Sequence, residues 1–248
     1  MSDATAAQGA DPPQRARRGD LIRRLLAALP LAAIALGAAY LGGPAFYVVV
    51  AVVGLLMARE WARMAYRRSR NQVANVAIVA AGFLLLFVLA AATCWLRGGL
   101  EEGRATMFWL FVVVWSTDSA AYLVGRALRG PRLAPRISPK KTWSGAVGGL
   151  VCALLVAIGM GEGVYAAGWL SDAPSTVRVA LAGLGVGLLA ILGDLFESWI
   201  KRRYGVKDSG ALIPGHGGFL DRLDSFSAAA LGLAVALGAA GANLVWSP

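Results

Sequence analysis

The sequence predicts an all-α, polytopic integral membrane protein of about seven transmembrane helices. Three observations carry that expectation. The 248 residues are 58% hydrophobic with a mean hydropathy of +0.62, more apolar surface than one soluble core of this length needs. The apolar residues fall in runs of roughly 17 to 25, each long enough to cross the ~30 Å hydrocarbon layer as a helix. The basic residues collect between alternate runs, as charges that orient membrane helices do.

In chain order, residues 1–19, rich in Ala, Gln, Pro, Asp and Arg, read as a disordered cytoplasmic tail. Seven spans follow: Leu21 to Leu41, Pro44 to Met57, Val73 to Leu96, Thr106 to Val124, Val147 to Tyr165, Val177 to Ile200 and Ser225 to Trp246. The first is longer than the apolar core of a cleaved signal peptide, so it reads as a retained helix. The second is short and needs Ala58 to Trp61 to complete a crossing. The third is long enough to tilt or to hide a broken pair, which would raise the count to eight or nine. Residues 20–104 then form an amino-terminal membrane unit and 105–248 a carboxyl-terminal catalytic one. Cys94 and Cys152 fall inside different spans and suggest neither a disulfide nor a metal pair.

Charge gives the topology. Of 24 Lys and Arg residues, 21 lie in four groups, Arg15 to Arg24, Arg59 to Arg70, Arg126 to Lys141 and Lys201 to Arg222. These occupy every second connection, which places the amino terminus in the cytoplasm and the carboxyl terminus outside. Attraction to anionic headgroups accounts for the net charge of +10, and nucleic acid is not an expected partner.

Carboxylates inside spans need a reason, because each costs at least ~2.5 to 3.5 kcal/mol there. Asp118 and Asp194 each precede a basic residue by eight positions, Arg126 and Arg202, on spans that run in the same direction. At 1.5 Å per residue both lie roughly 12 Å from those anchors, where they can face one cavity. Glu197, four residues before Lys201, reads as a structural ion pair at the helix exit.

The segment from Ser198 to Asp224 concentrates the remaining chemistry. It holds Lys201, Arg202, Lys207 and Asp208, then Pro214-Gly215-His216-Gly217-Gly218, then Asp221-Arg222-Leu223-Asp224. Glycine amides flanked by Lys and Arg suit a polyphosphate. Asp221 and Asp224, three residues apart at the start of a helix, share one face. Hard oxygen ligands beside phosphate binders indicate Mg2+, and with Asp194 a two-cation site. His216 suits a phosphate hydrogen bond better than Mg2+ ligation.

This run is similar to the signature of phosphatidate cytidylyltransferase, also called CDP-diacylglycerol synthase. Gly193-Asp194-Leu195, the Ser138-Pro139-Lys140-Lys141-Thr142 loop, and Asp118 with Ala121-Tyr122 and Gly125 agree with it, and Glu60-Trp61-Ala62-Arg63 is a fainter echo. Ser144 departs from the pattern, since many relatives carry Glu there. The resemblance implies transfer of the cytidylyl group of CTP to phosphatidic acid, giving CDP-diacylglycerol and pyrophosphate with Mg2+. It implies metal ligation by Asp194 and Asp221, then Asp224 and Asp118. Lys207, Asp208, His216 and Arg222 would serve catalysis. Ser138, Lys140, Lys141, Ser198, Lys201, Arg202, Gly217 and Gly218 would bind substrate. A homodimer in the inner, cytoplasmic membrane is also implied. Two rivals are a CTP-dependent lipid kinase, which would release CDP, and a transporter, which predicts discontinuous helices in related repeats.

Overall fold

The helix from Gly103 to Leu128 lies at the centre of the molecule, with Met107, Trp109, Leu110, Val113 and Val114 buried along its amino-terminal half. The computed structural model describes residues 14–66, 72–210, 212–213 and 217–247, with side chains from residue 28 onward. Among them are seven α-helices: α1 (Gln14–Leu41), α2 (Gly43–Ala65), α3 (Gln72–Gly98), α4 (Gly103–Leu128), α5 (Trp143–Ala166), α6 (Thr176–Arg203) and α7 (Leu220–Ala240). Six of these, α2 to α7, are long and apolar enough to cross a membrane. The described apolar part of α1, Ala28–Leu41, is shorter.

Each expected span corresponds to one helix, with shifted ends. α1 begins at Gln14, inside the stretch expected to be a tail, while residues 1–13 lie outside the described ones. α2 runs on through Ala58 to Trp61, as its length required, and its start is set by the Gly42-Gly43-Pro44 sequence, with Pro in the first turn. α3 is one unbroken helix rather than a pair. The last helix starts five residues before the expected Ser225 and ends at Ala240, not Trp246. Gly241 takes the left-handed conformation, φ 65°, that closes a helix and that glycine adopts without steric cost. Trp246 instead folds back, donating from Nε1 to Thr106 Oγ1 at 2.8 Å and meeting Trp109 edge to face.

One element departs from the all-α expectation. Strands β1 (Arg132–Ala134) and β2 (Ser138–Thr142) form an antiparallel hairpin, pairing Arg132 with Thr142 and Ala134 with Ser138. Pro131, Pro135 and Pro139 mask it in the sequence, since proline argues against strands except at such edges.

Small residues let the helices approach closely, the packing mode expected in lipid. A Cβ on Gly145 of α5 would run into the Ala121 carbonyl of α4, and one on Gly193 of α6 into the Asp224 carbonyl of α7. At one end of the bundle, Arg97 donates to the Ala39 and Tyr40 carbonyls at the close of α1, Arg104 stacks on Tyr40 and Trp169, and Asn243 donates to Glu102. The last turns of α4 and α6, the first of α7 and the β hairpin meet at the other end. Successive helices therefore run in opposite directions, and among the described residues Arg59 and Arg63, the basic residues from Arg126 to Lys141 and those from Lys201 to Arg222 share one end.

Candidate active site

At that end an open cavity of about 750 Å3 lies between α4, α5, α6, α7 and the β hairpin. α4 reaches it because Gly125 and Gly145 bring α5 close, and Thr142 fixes where the hairpin becomes α5. Its hydroxyl accepts from the Gly145 amide at 3.1 Å, an N-cap. Ser144, at the departure from the family pattern, is spent on structure, donating to the Arg129 carbonyl and lying 3.0 Å from Thr142 Oγ1.

Nine of the expected residues line the cavity together: Asp118 from α4, Lys140 and Lys141 from β2, Asp194 and Lys201 from α6, Asp208 from the following loop, and Asp221, Arg222 and Asp224 from α7. Asp118, Asp194 and Asp224 thus face a common space. Lys141 Nζ sits 2.6 Å from Asp194 Oδ2, and Ser198 Oγ donates to Asp194 Oδ1 at 3.3 Å. Asp118 Oδ1 accepts from Ser225 Oγ at 3.4 Å, and Asp224 Oδ1 from the Ser225 amide at 2.7 Å.

Asp221 is the most heavily bonded group. Its Oδ1 accepts from Lys201 Nζ at 2.7 Å, and its oxygens accept from the Ser209 amide and, at 2.9 Å, the Gly218 amide. Lys201 also pairs with Glu197, the i,i+4 contact that the spacing predicts. With Asp221 in the first turn of α7, its charge also complements the helix dipole.

The other expected residues stand behind this wall. Ser138 opens β2, Ser198 acts on Asp194, and Arg202 donates to the carbonyls of Ile137 and Val206, tying α6 to the hairpin. Lys207 is exposed. Gly217 adopts φ 84° and its carbonyl accepts from the Ile213 amide. His216 lies outside the described residues.

Sequence reasoning did not assign Tyr122, Arg126, Thr142 or Ser225 to the site, yet all four line the cavity, with Arg126 donating to the Tyr122 hydroxyl at 2.9 Å. Arg126 carried a signal, as the base that anchors the end of its span eight residues after Asp118.

A sequence model described as the cytidylyltransferase family matches residues 79–239. A phosphatidate cytidylyltransferase of Brucella suis biovar 1 (strain 1330) is 36% identical to the chain, covering 85% of it and 91% of the relative. One of Rickettsia conorii (strain ATCC VR-613 / Malish 7) is 32% identical, covering 84% and 87%. One of Brucella abortus biovar 1 (strain 9-941) is 35% identical, covering 85% and 91%. With a match over most of its length in each comparison, the chain belongs to the phosphatidate cytidylyltransferase family.

Proposed function

We propose that this enzyme joins CTP to phosphatidic acid, forming CDP-diacylglycerol and releasing pyrophosphate for phospholipid biosynthesis. The observation that carries the proposal is the cavity itself, one space lined by five basic and five acidic side chains at the charged end of an apolar helix bundle. A phosphate oxygen of the lipid attacks the α-phosphorus of CTP, and the bond to the β-phosphate oxygen breaks. That lipid phosphate has a second pKa near ~6, so it is largely ionised at neutral pH and needs no strong base. Catalysis then rests on holding the two substrates in line and neutralising the charge that grows on pyrophosphate. Arg222, with Lys207, would hold nucleotide phosphates, and Lys140 and Lys141 the lipid phosphate or CTP. The Gly217 amide and His216, the latter outside the described residues, would also serve the nucleotide phosphates, whereas the Gly218 amide is engaged by Asp221.

The cavity also fits Mg2+. Five cations against five carboxylates give the lining little net charge, so a triphosphate and a second phosphate would enter it with their own charge unbalanced. The acidic donors are all hard oxygens. No three of the described His, Cys, Asp and Glu residues form a ready cage. None is required, because Mg2+ takes one or two carboxylates and completes its shell with substrate phosphates and water. Asp194 and Asp221 lead as holders, with Asp224 and Asp118 next and room for a second cation. When bound, the metal would supply positive charge against the phosphates. Lys141 pairs with Asp194, and Lys201 orients Asp221.

The same reading places the chain as a multi-pass protein of the inner membrane. The cavity and the amino terminus face the cytoplasm, α1 makes a seventh crossing, and the chain assembles as a homodimer. The test is direct. Purified protein with phosphatidic acid, CTP and Mg2+ is expected to yield CDP-diacylglycerol and pyrophosphate in equal amounts. A folded protein that forms neither sinks the assignment, and phosphorylated lipid with CDP would identify a kinase instead.

A further inference from the structure

Glu60 of α2 lies outside the residues matched by the family model and outside the cavity, and it is 1% exposed. A carboxylate buried that far persists only when hydrogen bonds satisfy it. Its partners are the loop and helix end that carry the site. Oε1 accepts from the Phe219 amide at 3.1 Å, and Oε2 accepts from the Leu220 amide at 3.0 Å and from Ser209 Oγ at 3.4 Å. α7 starts at Leu220, so these amides belong to the set a helix leaves unpaired at its start, where a negative charge is also favoured.

The same backbone is gripped from the opposite side. Ser209 gives its amide to Asp221 and its hydroxyl to Glu60, while Gly218 gives its amide to Asp221 and the next amide, Phe219, goes to Glu60. Gly210 and Gly218 press against Glu60 so closely that a Cβ on either would meet its carboxylate. α2 offers a firm base for the grip. Next to Glu60, the Trp61 indole donates to the Val79 carbonyl of α3 at 3.3 Å, fills the space that Gly82 leaves open, and packs edge to face on Tyr204.

We infer that Glu60 is a positioning residue for the reaction, the amino-terminal unit's clamp on the loop and helix start that present Asp208, Asp221, Arg222 and Asp224 to the cavity. The inference rests on the proposed activity for its kinetic consequence but not for its structural one. Glu60→Gln puts an amide donor against backbone donors. In full-length protein in detergent, turnover per folded molecule should fall at least about tenfold, carried by kcat and the KM for CTP, with the KM for phosphatidic acid unchanged. Amide exchange at Ser209 and Gly218 to Leu220 should accelerate while α5 stays protected. Gly210→Ala, whose added methyl would meet the Glu60 carboxylate, should reproduce both effects, and the double variant should be less than additive with either. Should Glu60→Gln not fold, Gly210→Ala carries both measurements.

Kinetic constants within about twofold of wild type in the folded variants, or exchange unchanged in the loop, would overturn the inference. A lower melting temperature as the sole change would also overturn it, because that is what a merely structural carboxylate gives. A wild-type enzyme without CDP-diacylglycerol synthesis would strike the activity alone, and the exchange measurement would still decide the clamp.

Discussion

Two ion pairs set what individual residues can do. Asp221 accepts from an ammonium and two backbone amides at once, so Asp221→Asn keeps the shape but sets an amide donor against existing donors. Pyrophosphate release should drop by at least ~100-fold, the scale of losing a preorganised charge at a reacting phosphate. Turnover near wild type would show that Asp221 merely shapes the loop. Lys141 differs, since it meets one carboxylate at the mouth of the cavity and is a quarter exposed. Lys141→Ala leaves Asp194 without that ammonium and is expected to lower kcat/KM by roughly tenfold, a loss typical of one charged hydrogen bond. Raising Mg2+ should recover part of that loss if the ammonium stands where a cation serves; a deficit independent of Mg2+ would contradict this.

Elements differed in how legible they were. The apolar runs announced the helices, because twenty apolar residues in lipid have few alternatives. Helix ends did not follow, being set by particular groups such as the Gly241 turn and the Thr142 cap. The β hairpin was hidden because its strands are short and proline-bearing. Glu60 shows in the sequence only as part of the family echo Glu60-Trp61-Ala62-Arg63, because the groups that give it a role, Ser209, Phe219 and Leu220, lie 149 to 160 residues further on. The shortness of the Pro44 to Met57 run was a further clue, because the residues needed to complete the crossing include Glu60. The α4–α5 contact gives the test at this scale. Gly145→Ala drives a methyl into a backbone carbonyl that cannot rotate away, and should destabilise the folded protein by about 1 to 3 kcal/mol. Thr142→Val, which removes a cap without crowding, should cost about 1 kcal/mol. Thermal unfolding in detergent ranks the two, and the reverse order would show that the hairpin junction, not the helix contact, limits stability.

For the whole molecule, the alternation of charge along the sequence and the packing of the helices bear on the same question by separate routes. The alternation orients the chain by counting Lys and Arg, and the packing puts the ends of α4 and α6, with the basic residues of the hairpin and of α7's first turn, around one cavity. The site was legible in outline because its ionisable residues stand out in an apolar chain, whereas the burial of Glu60 and the double grip on the loop arise only when distant segments meet. Sidedness is the remaining property of the whole, and it has a functional edge, since a cavity facing away from CTP could not work. In a background with Cys94 and Cys152 replaced by Ala, Lys207→Cys, an exposed position beside the cavity, should react with an impermeant maleimide in inside-out vesicles. Asp172→Cys, in the exposed loop between α5 and α6, should react in right-side-out ones. The opposite pattern would turn the cavity outward and defeat the proposed reaction. Labelling of both sites from one side would mean that α6, with Asp194 upon it, does not cross the membrane.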